Sequence, residues 1–490
     1  MPLIALLNNR SSVGRRRGRR RDRADSAHAA DTAQPARSGA ERRPALLCIA
    51  QSFTPDTTPT AIRAGALLRR LSAQWDISVL TEARQDDGER SLQIERVASR
   101  RPRRLLATIL RLRLSKLHEL LVWPDDSIFW VIPAIFAGRR LIRERAPDAI
   151  VVFMMPYSAG LVGVALRRLS GLPLVLNLDD SPTCTDMHPV FPSALHYRLA
   201  RALEDFYART ADATIYVSAT NLEAVRKRAP ERVRERLHLV RYGADVAAFS
   251  PQQAPSDRFE VAYVGAMSGW WALIGHDESR GRAKAIYDAW TRLGRHELLE
   301  LDPRTSSPAA IGHALNAAIA AHPDWAGWLK LTLYGNPYPA DVVDRALRAA
   351  GVDRVVEVLG PVAHERVPDI LARADLLFIT LPLRVDGSRG GRISAKTYEY
   401  LMTDRPILAA VPRGENWDYL AGKPGVWLLE PDDERGMQEV VVELAEAKAA
   451  GAAPTFDRSA LRGELSYDGR AGELAGVIRE GIGRGEAPRR

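Results

Sequence analysis

Two doubly wound α/β domains in series are the fold class this sequence predicts, and three observations predict it. The chain has 490 residues, 46% apolar and 26% charged, a globular composition that is too long for one ordinary core. A strand–helix–strand rhythm of short apolar runs begins at Pro44 and begins again at Phe259. Between the two series lies a Pro/Gln-rich stretch, 250–257, that reads as a linker.

The run Pro44-Ala45-Leu46-Leu47-Cys48-Ile49-Ala50 has the unbroken apolar character of a buried parallel strand. A Thr/Pro-rich loop over 52–60, a helix over 61–74 and a strand over 76–81 complete the first unit. Further strands are expected at 149–153, 174–178 and 213–218, with helical segments between them. The second domain opens at 259–265 and continues with strands at 331–335, 355–360, 376–379 and 406–410. The expected organisation is therefore an Arg-rich disordered tail over 1–43, an N-terminal domain over 44–250, a C-terminal domain over 258–455 and an extension over 456–490.

Charge excludes one class of function. Of the net +9, a net +7 sits in the tail, where eleven arginines face four acids, and the remainder of the chain is nearly neutral. Such a tail is too poor in apolar residues to fold, and no nucleic-acid binding is expected of the folded part. Cys48 and Cys184 are the only cysteines, which suits a reducing cytoplasm and has no metal-ligand spacing. No run of 18 apolar residues spans a membrane, and the arginines follow the short greasy start instead of preceding it, unlike a secretory signal.

In open parallel sheets ligands bind beyond the carboxyl ends of the strands. The most informative loop there is Asp386-Gly387-Ser388-Arg389-Gly390-Gly391-Arg392-Ile393, running into Ser394-Ala395-Lys396-Thr397-Tyr398-Glu399-Tyr400-Leu401. A helix starting near Ser394, with that serine as its cap, would offer unpaired N–H groups to a diphosphate without any metal. Arg392 and Lys396 would neutralise it. Glu399, a turn further in, is either a ligand for two vicinal ribose hydroxyls or a solvated surface glutamate.

This segment, with Arg405-Pro406-Ile407-Leu408 after it, resembles the donor-binding segment of family 4 glycosyltransferases of the GT-B fold. The run 171–182, ending Asn177-Leu178-Asp179-Asp180-Ser181-Pro182, is similar to their N-terminal strand that closes on an acidic loop, and 211–218 with 240–245 resembles their approach to the domain linker. The resemblance covers roughly residues 44–440. It implies two Rossmann-like domains with an interdomain cleft and a retaining transfer of sugar from a nucleoside diphosphate, UDP or GDP, to an acceptor hydroxyl. By position Glu399 matches the second glutamate of the family's two-glutamate motif, the ribose ligand, while Gly391 stands where the first belongs. Gly265, Gly391, Arg392, Ser394, Ala395, Lys396, Glu399, Gly360 and Val362 are the expected donor-binding residues, the last two for the nucleobase, with His364 beside them starting a helix. The family's basic residues after the first C-terminal strand are not matched by Ala266-Met267-Ser268-Gly269-Trp270-Trp271; Arg280, Arg282 and Lys284 lie further on.

Asp180 reads as an acceptor-side catalytic group or as a turn cap, with Lys396 as its catalytic partner on the donor side. Adjacent side chains on a strand point opposite ways, so Asp179 and Asp180 do not form a metal site, and no metal or cofactor beyond the nucleotide sugar is expected. Glu204 reads equally as a site residue or a structural ion-pair partner.

A basic stretch over 100–121 carries Arg100, Arg101, Arg103, Arg104, Arg111, Arg113 and Lys116. Leu106, Leu110, Leu114, Leu117 and Leu121 fall on one stripe at helical spacing, the pattern of a helix lying on an anionic membrane surface. A cytoplasmic, peripheral enzyme acting on a glycan or lipid-linked acceptor is the leading expectation. A sugar-nucleotide epimerase and a catalytically silent scaffold are the alternatives.

Overall fold

The computed structural model describes residues 42–486 apart from 57, 84–91, 113, 184–185, 187, 246–256, 266, 268–288, 291–292 and 337. The expected tail over 1–43, the linker and the basic residues Arg280, Arg282 and Lys284 therefore lie wholly or mostly outside the described residues. From Pro44 onward the chain packs as one compact unit around two parallel sheets.

The first sheet has the order β3-β2-β1-β4-β5-β7-β8. Its strands are β1 (Ala45–Ala50), β2 (Asp76–Glu82), β3 (Gln93–Val97), β4 (Ala149–Phe153), β5 (Leu174–Leu178), β7 (Ala213–Tyr216) and β8 (Leu237–Leu239). A two-residue strand, β6 (Val190–Phe191), stands apart and pairs antiparallel with β10 (His296–Glu297). The second sheet has the order β13-β12-β9-β14-β16-β17. It comprises β9 (Phe259–Val264), β12 (Leu329–Tyr334), β13 (Val356–Val358), β14 (Leu376–Thr380), β16 (Ile407–Ala410) and β17 (Val426–Leu429), while β11 (Leu301–Asp302) pairs with β15 (Leu383–Arg384). The central strands are buried along their whole length, as strands covered on both faces must be.

Among the described residues before the second sheet, the helices are α1 (Pro59–Leu71), α2 (Arg103–Arg111), α3 (Ser115–Leu121), α4 (Ile128–Arg145), α5 (Ser158–Ser170), α6 (Ala194–Thr210), α7 (Ala219–Arg228) and α8 (Glu231–Arg234). The second sheet is flanked by α9 (Ala309–Ala321), α10 (Ala340–Ala349), α11 (Val367–Arg373), α12 (Ala395–Leu401), α13 (Glu415–Leu420) and α14 (Glu434–Ala449). Thr58 opens α1 by accepting from the Ala61 amide, and Ser218 opens α7 by accepting from Asn221.

The stretch 456–490, expected as an extension, crosses back to the first domain. After α15 (Ser459–Leu465), helix α16 (Tyr467–Glu486) lays Tyr467, Ala471, Leu474, Ala475 and Ile478 against Leu46, Cys48, Val175 and Ala213 of the first sheet. Its apolar spacing completes a face of that core. Buried Arg458 pins the crossing by donating to the carbonyls of Thr403, Arg405, Pro424 and Gly425.

The stripe expected along 100–121 does not lie on one helix. The chain breaks into α2 and α3, and Leu106 turns inward with Ile109. Leu110, Leu114, Leu117 and Leu121 do face solvent, joined by Leu105, Leu112 and Leu120.

Candidate functional site

The carboxyl end of β9 leads into Gly265, whose φ of +126° is a conformation side chains rarely adopt. A Cβ there would stand 2.7 Å from Lys396 Cε and 2.8 Å from its Nζ, so the lysine lies directly over this glycine. Gly335, ending β12, approaches the Gly265 backbone closely and donates its amide to the Gly360 carbonyl. Gly265, Gly360 and Lys396 are thus joined through one set of loops, and Gly360 and Val362 are exposed beside them.

Packing fixes the rotation of α12. Thr397, Tyr398, Tyr400 and Leu401 are buried. Tyr400 accepts from the Val264 amide at 3.0 Å, Thr397 donates to Asn416 Oδ1 at 2.8 Å, and Tyr398 stacks on Tyr242 of the first domain. That leaves Lys396 and Glu399, three residues apart on one face, as the half-buried polar side chains. Lys396 Nζ sits 5.0 Å from the centroid of the Tyr263 ring. Burial raises the Glu399 pKa, with the charges of His364 and Lys396 opposing. His364 opens a 3-10 turn, as expected of a helix-start residue, and also lies within electrostatic reach of that carboxylate. Glu399 and Lys396 have no hydrogen-bond or ion-pair partner among the described residues. Ser394 occupies the cap position by its backbone, but its side chain makes no capping bond; the expected cap is formed by geometry alone.

From the first domain, β5 ends in two aspartates with opposite fates. Asp179 is buried and accepts from Arg63 at 2.8 Å, Tyr242 at 2.9 Å and Asn177. Arg63 is itself fully buried and donates also to the Val240 carbonyl. Asp180, in the bend that follows β5, is half-buried. Burial and the charge of Asp179 push its pKa up to about 6, with Arg392 opposing and Asp186 adding to the rise. Asp180 and Arg392, expected on opposite walls of a cleft, do feel each other.

Two contacts that sequence reasoning missed close the domains around the 386–394 loop. Asp186 accepts from Arg384 at 2.8 Å and from the Gly391 amide at 2.6 Å. The Ser218 hydroxyl lies 2.6 Å from both the Gly391 carbonyl and Glu415, so its one proton is shared between these acceptors. Glu415 also accepts from the Ala219 and Thr220 amides and from Arg241. Burial works against its charge, but these hydrogen bonds from Ser218, Thr220, Ala219 and Arg241 hold its pKa below the usual value. The faint signal was Ser218 itself, which ends a strand at the face where ligands gather. Nothing marked Asp186 or Glu415, because their partners lie about two hundred positions away. Glu204 resolves as structural: it is fully buried and accepts from Ser181, Thr183, Tyr216 and Arg228. Among the described residues no group of three His, Cys, Asp or Glu side chains comes together as a cation site.

Residues 58–243 match the family described as a glycosyl transferase 4-like domain. No curated protein matches the chain. Among solved structures it resembles a sucrose-phosphate synthase from Thermosynechococcus elongatus, with 14% identity, a TM-score of 0.55 and coverage of 89% of this chain and 99% of that one. HepE from Anabaena, solved with UDP-glucose, gives 17%, 0.55 and the same coverages. A UDP-forming α,α-trehalose-phosphate synthase from Burkholderia vietnamiensis gives 13%, 0.54, 90% and 100%. The two-sheet architecture is the GT-B fold of these proteins.

Proposed function

We propose that this glycosyltransferase of GT-B type moves a sugar, with retention and without a metal, from a nucleoside diphosphate to the hydroxyl of a glycan or lipid-linked acceptor. One observation carries the reading: Glu399 and Lys396 share a face of α12, with Lys396 over the Gly265 backbone, and neither has a hydrogen-bond or ion-pair partner among the described residues. A half-buried carboxylate and ammonium left unpaired are costly unless a ligand satisfies them. The free amides of Ala395 and Lys396, which have no acceptor among the described residues, suit a diphosphate beside the lysine. Glu399 would grip the ribose, with Gly360 and Val362 near the base. Arg392 and Lys396 would stabilise charge on the leaving diphosphate. Asp180 would hold or polarise the acceptor hydroxyl.

Calorimetric titration with UDP and with GDP, repeated on Glu399→Ala, tests the reading. Loss of a doubly hydrogen-bonded carboxylate is expected to weaken nucleotide binding about 10- to 100-fold. Failure of the unaltered protein to bind either nucleotide, or unchanged binding by the variant, would refute it.

Peripheral attachment to an anionic membrane at the cytoplasmic face belongs to the same reading. Exposed leucines line α2 and α3, and Ile132 and Phe136 of α4 are exposed as well. The two regions are tied where Arg100 donates its amide to Phe129 and Arg101 pairs with Asp126. Arg100, Arg103, Arg104, Arg111, Arg139 and Arg143 are exposed without ion-pair partners among the described residues, and each basic residue near anionic lipid contributes about 1 kcal/mol. Among the described residues no helix is long and apolar enough to cross a membrane. Co-sedimentation with phosphatidylglycerol vesicles, abolished in Leu112→Ser/Phe136→Ser and absent with phosphatidylcholine alone, is the expected result; indifference to both changes would remove the attachment.

A further inference from the structure

A recess beside the 386–394 loop shares only Arg392 with the reading above. It encloses about 20 Å3, room for one water or hydroxyl group. Asp186 of the first domain borders it, facing Gly390, Arg392, Gly414 and Asn416 of the second. The Asn416 side chain is only 2% exposed. One end of its amide pairs with the Thr397 hydroxyl, and Nδ2 at the other end has no hydrogen-bond partner. Native proteins rarely leave such a group orphaned. Across the recess, the Asp186 carboxylate takes two bonds from Arg384 and one from the Gly391 amide. A carboxylate offers roughly four acceptor sites, so it retains capacity for one more donor. The side chain that position 391 lacks would begin 3.4 Å from this same carboxylate.

An unsatisfied donor and an acceptor with spare capacity, both lining a hydroxyl-sized space, match a group that both donates and accepts. We propose that the recess receives a hydroxyl of the sugar carried by the nucleotide, which donates to Asp186 and accepts from Asn416 Nδ2. These two residues then set which sugar is transferred. The proposal rests on the nucleotide-sugar reading and adds a specificity pocket built jointly by both domains. The same loop supplies Arg392 to the recess and the backbone that leads into α12, where the diphosphate is placed.

The full chain is titrated with UDP, GDP, UDP-glucose, UDP-galactose and GDP-mannose. The readout is the gain in affinity that the attached sugar gives over the bare nucleotide, for the best-bound pair. Asp186→Asn is expected to cut that gain about tenfold, the loss of one buried hydrogen bond, while bare-nucleotide affinity stays within about twofold; Asn416→Ala, which also strands the Thr397 hydroxyl of α12, is expected to cut the gain at least as far. Arg384→Gln, which breaks the same ion pair but spares the recess, should keep the gain. A role confined to holding the domains together would instead weaken all five ligands alike in all three variants, and that result overturns the proposal. So does an unaltered gain in Asp186→Asn and Asn416→Ala, or a wild-type protein that gains nothing from any sugar. Absence of all nucleotide binding by the wild type defeats the parent reading and this one with it, whereas nucleotide binding with an unchanged gain defeats this one alone.

Discussion

Replacing Asp180 by asparagine should make the protein more stable while impairing transfer. The carboxyl has an ordinary value of 3.8 and is pushed to about 6 in the folded chain by burial, then by Asp179, with Arg392 opposing and Asp186 adding. Each tenfold change in an acid's dissociation constant corresponds to about 1.36 kcal/mol. The ionised side chain therefore costs the native state up to about 3 kcal/mol above pH 6, or about 1–2 kcal/mol once solvent screening of a half-buried group is allowed for. Because the folded-state value is raised, this cost is full where both states are ionised, shrinks as pH falls from 6 towards 3.8, and vanishes where both are protonated. An asparagine amide resembles the protonated acid. Urea unfolding near neutral pH should show the variant more stable by that amount, with the difference fading by about pH 4. Transfer activity should fall, and a rise in rate with a midpoint near pH 6, expected of the wild type on this reading, should be absent from the variant. An asparagine variant no more stable at neutral pH, or one whose advantage grows on acidification, would refute the electrostatic argument.

Gly265→Ala forces a side chain into a φ of +126° and against Lys396; a stability loss of about 1–3 kcal/mol and at least about tenfold weaker nucleotide binding are expected by melting and calorimetry. Glu415→Ala strands two amides of α7 and Arg241, and should cost about 3–5 kcal/mol with a larger radius of gyration in X-ray scattering. Since hydrogen bonding holds Glu415 below its ordinary value, its contribution is present at neutral pH and is lost as pH falls through and below the usual glutamate range. Glu415→Gln should flatten that acid limb, and an unchanged acid profile would count against the latch. Arg63→Met leaves buried Asp179 without its cation and should lower stability by about 3–5 kcal/mol in urea melts; a neutral effect would mean that Tyr242 and Asn177 suffice.

The sequence by itself determined the strands. Runs such as Ala149–Phe153 and Leu376–Thr380 are apolar without alternation, and only a sheet covered on both faces accepts that pattern. It also placed Lys396 and Glu399 on one helix, where residues three apart share a face, whereas Asp179 and Asp180 fall in the bend just past Leu178, beyond the reach of strand alternation. Tertiary structure decided what proximity decides. Short or weakly patterned strands such as Gln93–Val97 and Val426–Leu429 form because a neighbouring edge accepts them. Helix α16 belongs to the first core only because the chain returns there after leaving the second. Leu106 is buried and Leu112 exposed because a break between α2 and α3 resets the helical phase. Asp186, Ser218 and Glu415 acquire their meaning from partners far along the chain, since hydrogen bonds act over about 3 Å while local sequence patterns see only near neighbours.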